Sequence, residues 1–346
     1  MKTLYVSDLD GTLLRSSERT SDFTNRTINE LVERGMLFSY ATARSYLTAH
    51  KVTQGLRVQI PVIIYNGAFI RDSVSGELLL SSYFEDDPEG FLRDLIDADV
   101  YPLVYAGFTS GGRRGSHTST DNRQDEQDNR QDARDKGQDA QDNRQNVQDN
   151  RQNVQDNGAS EERDTTEGDS EKVHGGCAEN FYEKFSYIPQ RATEGMRRFL
   201  DTRKGDERER AVSTVEELME GDIFYFTCID EREKLARLYE RYRERYHCVL
   251  SQEIYTKDWF LEIMPFETSK SRAVMRLKEY LGCDRVVVFG DQNNDIDMFE
   301  AADEAYAVEN AVEELKAVAT GIIASNDEDG VANFLRERFQ QKGGAL

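Results

Sequence analysis

Asp8-Leu9-Asp10-Gly11-Thr12, directly after the apolar run Leu4-Tyr5-Val6, is the stretch on which the reading of this chain turns. Two carboxylates stand two positions apart at the end of an expected strand, followed by a glycine and a hydroxyl. In an extended segment the side chains at i and i+2 point the same way, so Asp8 and Asp10 are expected to converge on one metal ion or one phosphorus. Such a pair can divide its roles, one carboxylate as nucleophile or metal ligand and the other as general acid and base. The same residues also suit an acidic turn that closes a strand, because Asp-Gly is turn chemistry.

Working outward, strand and helix patterns alternate. Residues 24–34 carry Ile28, Leu31 and Val32 at helical spacing. Residues 36–40 read as a second strand ending at Ala41-Thr42-Ala43-Arg44, and residues 62–65 as a third ending at Asn66-Gly67. Toward the C-terminus, Ala273, Val274, Leu277 and Leu281 line one helix face, and residues 286–289 form an apolar strand running into Gly290-Asp291. Residues 305–308 and 321–324 give two further short strands. Apolar runs without alternation mark strands buried on both faces, hence an α/β fold with a parallel sheet between helices. Asp8 with Asp10, Thr42, Lys270, and Asp291 with Asn294 and Asp295 are all expected at the carboxyl ends of strands, where open α/β sheets bind ligands.

The middle reads differently. A helix is expected over residues 84–97 and strands over 101–105, 223–227, 249–256 and 259–263, with Leu235, Leu238, Tyr239, Tyr242 and Tyr246 forming a helical stripe. This α+β pattern implies a second domain inserted into the first. The expected division is 1–83 and 265–346 for the two core halves and 84–264 for the insert.

Within the insert, residues 109–172 stand apart. Asp-Asn-Arg-Gln recurs every seven residues from Asp121, at Asp128, Asp142 and Asp149, with a degenerate copy at Asp135. A coiled coil needs two apolar seams per heptad. Here the apolar side chains are Ala133, Ala140, Val147, Val154 and Ala159, at most one weak position per repeat. Such a stretch cannot bury enough surface to offset its ordering entropy, so a disordered low-complexity insertion is expected, with a polar helical rod or a binding tail as alternatives. Residues 110–116 are glycine-rich but lack the GxxxxGK[ST] spacing and the strand–helix setting of a phosphate loop, and read as linker.

With 346 residues, 38% of them hydrophobic, the chain is long enough for two domains with real cores. A formal charge of −22 argues against nucleic acid, whose phosphates demand clustered Lys and Arg. Cys177, Cys228, Cys248 and Cys283 form no CxxC pair, and His50, His117, His174 and His247 make no metal-type spacing with them. That argues against zinc and fits reduced thiols in a cytoplasmic protein. Met1-Lys2-Thr3 leads straight into a strand, so neither a signal peptide nor a membrane span is expected.

Phosphoester hydrolysis needs a nucleophile, a proton donor for the leaving oxygen, a cation for the phosphoryl oxygens and donors that hold the phosphate. Asp8 and Asp10 supply the first two, and Thr42-Ala43-Arg44 offer a hydroxyl and backbone amides at a helix start. Lys270 adds a point charge, and Asp291 and Asp295 with Asp8 give hard oxygen donors suited to Mg²⁺.

On these motifs, together with Asn66-Gly67, Leu261-Glu262-Ile263-Met264-Pro265 before Lys270, Gly290-Asp291-Gln292-Asn293-Asn294-Asp295 and the tail 325–331, the chain resembles the haloacid dehalogenase superfamily. The resemblance is to its Cof-type members with a type IIB cap, and covers everything except roughly residues 107–176. It implies a Rossmann-like core with an inserted α+β cap. It implies Asp8 as the nucleophile that becomes an aspartyl-phosphate and Asp10 as acid and base. Mg²⁺ would be held by Asp8, the Asp10 carbonyl and Asp291, with Asp295 in or near the shell, and the phosphoryl group by Thr42, Lys270 and Asn294. Ala43 stands where the family usually has glycine, and Ser271 where it often does. The expected activity is a Mg²⁺-dependent phosphatase acting on a small phosphorylated metabolite. The alternatives are a phosphosugar mutase on the same scaffold, or a non-catalytic binding protein acting through the repeats.

Overall fold

The computed structural model describes residues 1–85, 87–109, 181–252 and 256–342. In chain order the strands are β1 (Thr3–Ser7), β2 (Leu37–Tyr40), β3 (Val62–Ile64), β4 (Phe69–Arg71), β5 (Leu78–Ser81), β6 (Leu103–Thr109) and β7 (Phe181–Tyr187). They continue with β8 (Glu209–Ala211), β9 (Asp222–Asp230), β10 (His247–Gln252), β11 (Trp259–Met264), β12 (Arg285–Gly290), β13 (Glu304–Val308) and β14 (Gly321–Ile323).

β14, β13, β12, β1 and β2 form, in that order, a parallel sheet. Leu4, Val6, Val286, Val287 and Val288 are fully buried in it, as expected of strands covered on both faces. Helices pack in pairs around it, Asp22–Glu33 with Gly330–Lys342 and Lys270–Tyr280 with Ile296–Ala301. Register then sets the functional edge. Ser7 pairs with Phe289 on one side and Tyr40 on the other, so β1, β2 and β12 end level. The Asp8 amide donates to the Phe289 carbonyl at 2.9 Å and the Ala41 amide to the Ser7 carbonyl at 2.9 Å.

The expected third strand of this sheet behaves otherwise. β3 touches it through a single parallel bridge, Ala41 to Ile63, and pairs instead antiparallel with β4, which pairs with β5. The cause is the turn Tyr65-Asn66-Gly67, whose φ values of 50°, 52° and 99° fold the chain straight back on itself.

All strands of the second large sheet, β10-β11-β9-β6-β7-β8, lie between β5 and β12 in the chain, so this α+β unit is an insertion. Its helices Pro88–Asp97 and Arg232–Tyr242 bury Phe91, Leu92, Leu95, Leu235 and Leu238 with Phe226 and Leu261 of the sheet. Rings join it to the core. Tyr65 and Phe69 meet Phe224 with centroids 5.0 and 4.3 Å apart, and Tyr65 meets Tyr105 at 5.7 Å. Tilted and edge-to-face pairs of this kind add to the gain from burial alone.

Among the boundaries that differ from expectation, three bear on the insert and the site. The helix expected from residue 84 starts at Pro88, because Asp87 caps it by accepting from the Gly90 amide and proline suits the first helical position. Tyr246 lies beyond the end of Arg232–Tyr242, yet is buried. Lys270 stands not at a strand end but as the first residue of the helix Lys270–Tyr280, after its cap Ser269. The repeats and the 110–116 segment lie outside the described residues. Among the described residues no helix is long and apolar enough to cross a membrane.

Candidate active site

The strand ends deliver Asp8 and Asp291 side by side, and the helix start brings Lys270 to them. Lys270 Nζ donates to Asp8 Oδ1 at 2.7 Å and to Asp295 Oδ1 at 2.8 Å, with all three side chains almost wholly buried. The other Asp295 oxygen accepts from the amides of Asp291 and Gln292, at 3.1 and 3.2 Å, which fastens the turn after β12. Thr12 Oγ1 donates to Asp291 Oδ1 at 2.9 Å. Asp8, Asp291 and Asp295 each offer a carboxylate oxygen, and these lie within 4.8 Å of one another.

Three buried carboxylates against one ammonium leave negative charge in surplus. Burial, reinforced by the fields of Asp295 and Asp291 and opposed by Lys270, pushes the Asp8 carboxyl well above its usual range. Burial and the neighbouring Asp295 push Asp291 up to about 7. Burial alone would lower the Lys270 ammonium, but Asp295 and Asp8 hold it above its ordinary value.

Asp10 departs from the expectation. The chain does not continue extended past Asp8. A short helical turn opens at Leu9, so Asp10, although itself extended at φ −71° and ψ 122°, lies outside the strand, and its carboxylate is not among the three that converge. It lies half exposed against Arg44, which binds it through Nε at 2.8 Å and a terminal nitrogen at 2.5 Å. The i, i+2 rule fails because it holds only while both residues remain in the strand. The Arg44 side chain is thus engaged by Asp10, while the expectation at this position concerned the Arg44 backbone amide.

Thr42 is buried, its amide donating to the Ile63 carbonyl at 3.1 Å and its Oγ1 accepting from the Arg44 amide at 3.1 Å. Ala43 is exposed, and Asn294 is half-buried in the short turn Asn293–Asp295. The loop after Asp10 is tied to the C-terminal segment. Asn310 Nδ2 donates to the Gly11 carbonyl at 2.7 Å, Asn326 Nδ2 to the Leu14 carbonyl at 2.9 Å, and Arg15 pairs with Asp329. Sequence reasoning missed the Thr12–Asp291 and Arg44–Asp10 contacts. Both residues sit inside the motifs quoted above, but their partners are 279 and 34 positions away.

The family model for haloacid dehalogenase-like hydrolases matches residues 5–194 and 180–335. Two curated proteins of Bacillus subtilis, named 5-amino-6-(5-phospho-D-ribitylamino)uracil phosphatases YitU and YwtE, are 23% and 26% identical over 342 residues, with 97% of each chain covered. A solved structure from Thermotoga maritima shares the fold with a TM-score of 0.62 at 20% identity, covering 98% of this chain and 97% of that one. A structure described as a subclass IIB sugar phosphatase does so with a TM-score of 0.61 at 16% identity, covering 98% and 99%. With a family model spanning both core halves and the strands of the insert, the chain belongs to the haloacid dehalogenase-like hydrolases.

Proposed function

We propose that this chain is a Mg²⁺-dependent phosphatase that hydrolyses a small phosphorylated metabolite through an aspartyl-phosphate on Asp8. The observation that carries the reading is the buried group of Asp8, Asp291 and Asp295 around the Lys270 ammonium. Its residues fit a divalent cation. The donors are hard carboxylate oxygens, and burial together with their mutual repulsion raises Asp8 and Asp291. Asp8, Asp291 and Asp295 would hold the ion, which when bound would neutralise charge on the phosphoryl oxygens.

Lys270 fixes one Asp8 oxygen and leaves the other to attack phosphorus. The bond from phosphorus to the leaving oxygen breaks, and Asp10, protonated once it is released from Arg44, supplies that oxygen with its proton. Water then attacks the acyl phosphate, Asp10 takes the water's proton, and phosphate departs with Asp8 regenerated. Lys270 also compensates the charge of the phosphoryl group, while Thr42, the amides of Ala43 and Arg44, and Asn294 hold it. Asp10 stands on the exposed side of the turn that buries Asp8, which separates the proton carrier from the nucleophile.

The ribityl phosphate ester for which the two Bacillus proteins are named heads the substrate panel, followed by sugar phosphates and nucleotide cofactors. Asp8→Asn is expected to abolish hydrolysis of p-nitrophenyl phosphate while leaving the circular dichroism spectrum and melting temperature in place. Wild-type activity is expected to vanish with EDTA and return with added Mg²⁺. Turnover that survives in Asp8→Asn overturns the mechanism.

A further inference from the structure

The face of the insert that meets the core carries an arginine without a carboxylate. Arg203 follows the helix Glu194–Asp201, whose Met196 is buried in one apolar cluster with Tyr105 and Tyr225 of the insert and Tyr65 of the core. Alternation along β11 separates this face from the other. Phe260 packs on the cluster shared with the core, and Leu261 and Ile263 on the one under the helices Pro88–Asp97 and Arg232–Tyr242. Phe199 meets Phe260 with ring centroids 5.8 Å apart, and the Arg203 guanidinium lies over the Phe199 ring, 3.4 Å from its centroid.

The guanidinium is held in place but only partly used. Its Nη1 donates to the Phe199 carbonyl at 3.2 Å and to Thr202 Oγ1 at 2.9 Å, and the Asp206 amide donates to the Arg203 carbonyl at 2.9 Å, which closes the turn. Nε and the other terminal nitrogen have no hydrogen-bond partner among the described residues and are open to solvent. Carboxylates are not scarce, since the chain has 66 acidic side chains against 44 basic ones. The neighbouring arginines each hold one: Arg198 pairs with Glu194 and Asp258, Arg208 with Asp206 and Glu183, and Arg210 with Glu220. Arg203, although half-buried, pairs with none among the described residues. Burial lowers its guanidinium, Arg208 and the Asp10-bound Arg44 add to this by repulsion, and Tyr105 and Asp206 oppose it. A half-buried cation without a counter-charge is costly, and this one lies within the field of the arginine that binds the proposed proton carrier.

We propose that Arg203 is a specificity-determining residue that takes a second anionic group, a carboxylate or a phosphate, carried by the leaving group of the ester. The assignment rests on the phosphatase reading above. The two free nitrogens form the planar fork that carboxylate and phosphate oxygens accept from in parallel. Phe199 supports the guanidinium from below and is a positioning residue.

The experiment measures kcat/KM in two pairs of esters. 3-Phospho-D-glycerate and sn-glycerol 3-phosphate differ by a carboxylate, and propane-1,3-diol bisphosphate and its monophosphate differ by a second phosphate. The wild type is expected to favour the member with the second anion at least tenfold in one pair, and that pair identifies the anion. Arg203→Ala is expected to lower this ratio at least tenfold, mostly through KM, and Arg203→Lys, which keeps the charge, to lower it less. Arg203→Gln, which keeps part of the stem over Phe199, carries the same expectation as Arg203→Ala if the alanine variant fails to fold. Ratios near one in both pairs, no turnover of any of the four esters, or a ratio within twofold of wild type in the folded variant overturns the assignment, while turnover of p-nitrophenyl phosphate leaves the phosphatase reading standing. A wild type inactive on p-nitrophenyl phosphate and on all four esters overturns both.

Discussion

At the residue scale, Gly11 decides the local geometry of the site. Its φ of +75° turns the chain between Asp10 and Thr12, and a Cβ built there would lie 2.3 Å from Asp291 Oδ2. Any larger residue must displace the carboxylate on which the proposed metal site depends, and the left-handed backbone itself costs an L residue about 1–2 kcal/mol. Gly11→Ala is therefore expected to raise the Mg²⁺ concentration for half-maximal turnover at least tenfold, read by titrating activity with Mg²⁺. An unchanged half-maximal concentration means that the loop yields and Asp291 does not. Asp10 and Asp8 part company before this glycine, at Leu9, where the chain leaves the strand, and Arg44 binds the Asp10 carboxylate.

At the element scale, Glu304 clamps β13 to the C-terminal helix. Arg338 donates to its two oxygens at 2.5 and 2.7 Å, Arg285 donates at 2.8 Å, and the Tyr306 hydroxyl donates at 2.7 Å. The Arg338 hydrogen bonds, supported by those of Tyr306, pull the Glu304 carboxyl from 4.5 down to about 2. A group depressed in the folded state stabilises the fold above its unfolded value and loses that contribution as pH falls through the folded value. The window is therefore about pH 4.5 to 2, and the contribution at neutral pH is at most about 3 kcal/mol. Glu304→Gln is expected to lower urea stability at pH 7 by roughly 2 kcal/mol, and the gap to wild type is expected to narrow at pH 3. A gap of the same size at both pH values removes ionisation from the account. The helix 330–342 also lies against Asp22–Glu33, so the clamp holds part of the layer that covers the sheet.

At the scale of the whole molecule, the insert is organised around one pairing. β6 and β7 are antiparallel neighbours, with Thr109 opposite Phe181, so the strands on either side of residues 110–180 are already in register. Replacing 110–180 by Asn-Gly, the residue pair that suits a two-residue hairpin turn, is expected to keep the melting temperature and the kcat/KM on p-nitrophenyl phosphate within twofold of wild type. Loss of either assigns that segment a part in the fold or in the site. The two sheets are also held by the rings of Tyr65, Phe69, Tyr105 and Phe224 and by the Tyr65 hydroxyl, which donates to Glu183 and accepts from Arg208 at 2.9 and 2.8 Å. Asn66, next to Tyr65, adds its own hydrogen bonds to Tyr225 and Glu262 at that joint.

The sequence by itself determined the alternation of buried strands and helices, the insertion of a second unit, and the membership of Asp8, Lys270, Asp291 and Asp295 in one place. These were legible because hydrophobic periodicity and the placement of Asp8, Asp291 and Asp295 after strands are local properties of the chain, and Lys270 stands in a motif that carries the family resemblance. Only the tertiary structure decided that β3 leaves the parallel sheet and that Lys270 begins a helix. It alone sent the Asp10 carboxylate to Arg44, brought Thr12 to Asp291, and set Asn66 against Glu262. Apart from the Lys270 helix, which its neighbour Ser269 caps, each of these depends on a backbone turn at positive φ or on a partner far along the chain. No pattern within a short window of residues specifies either.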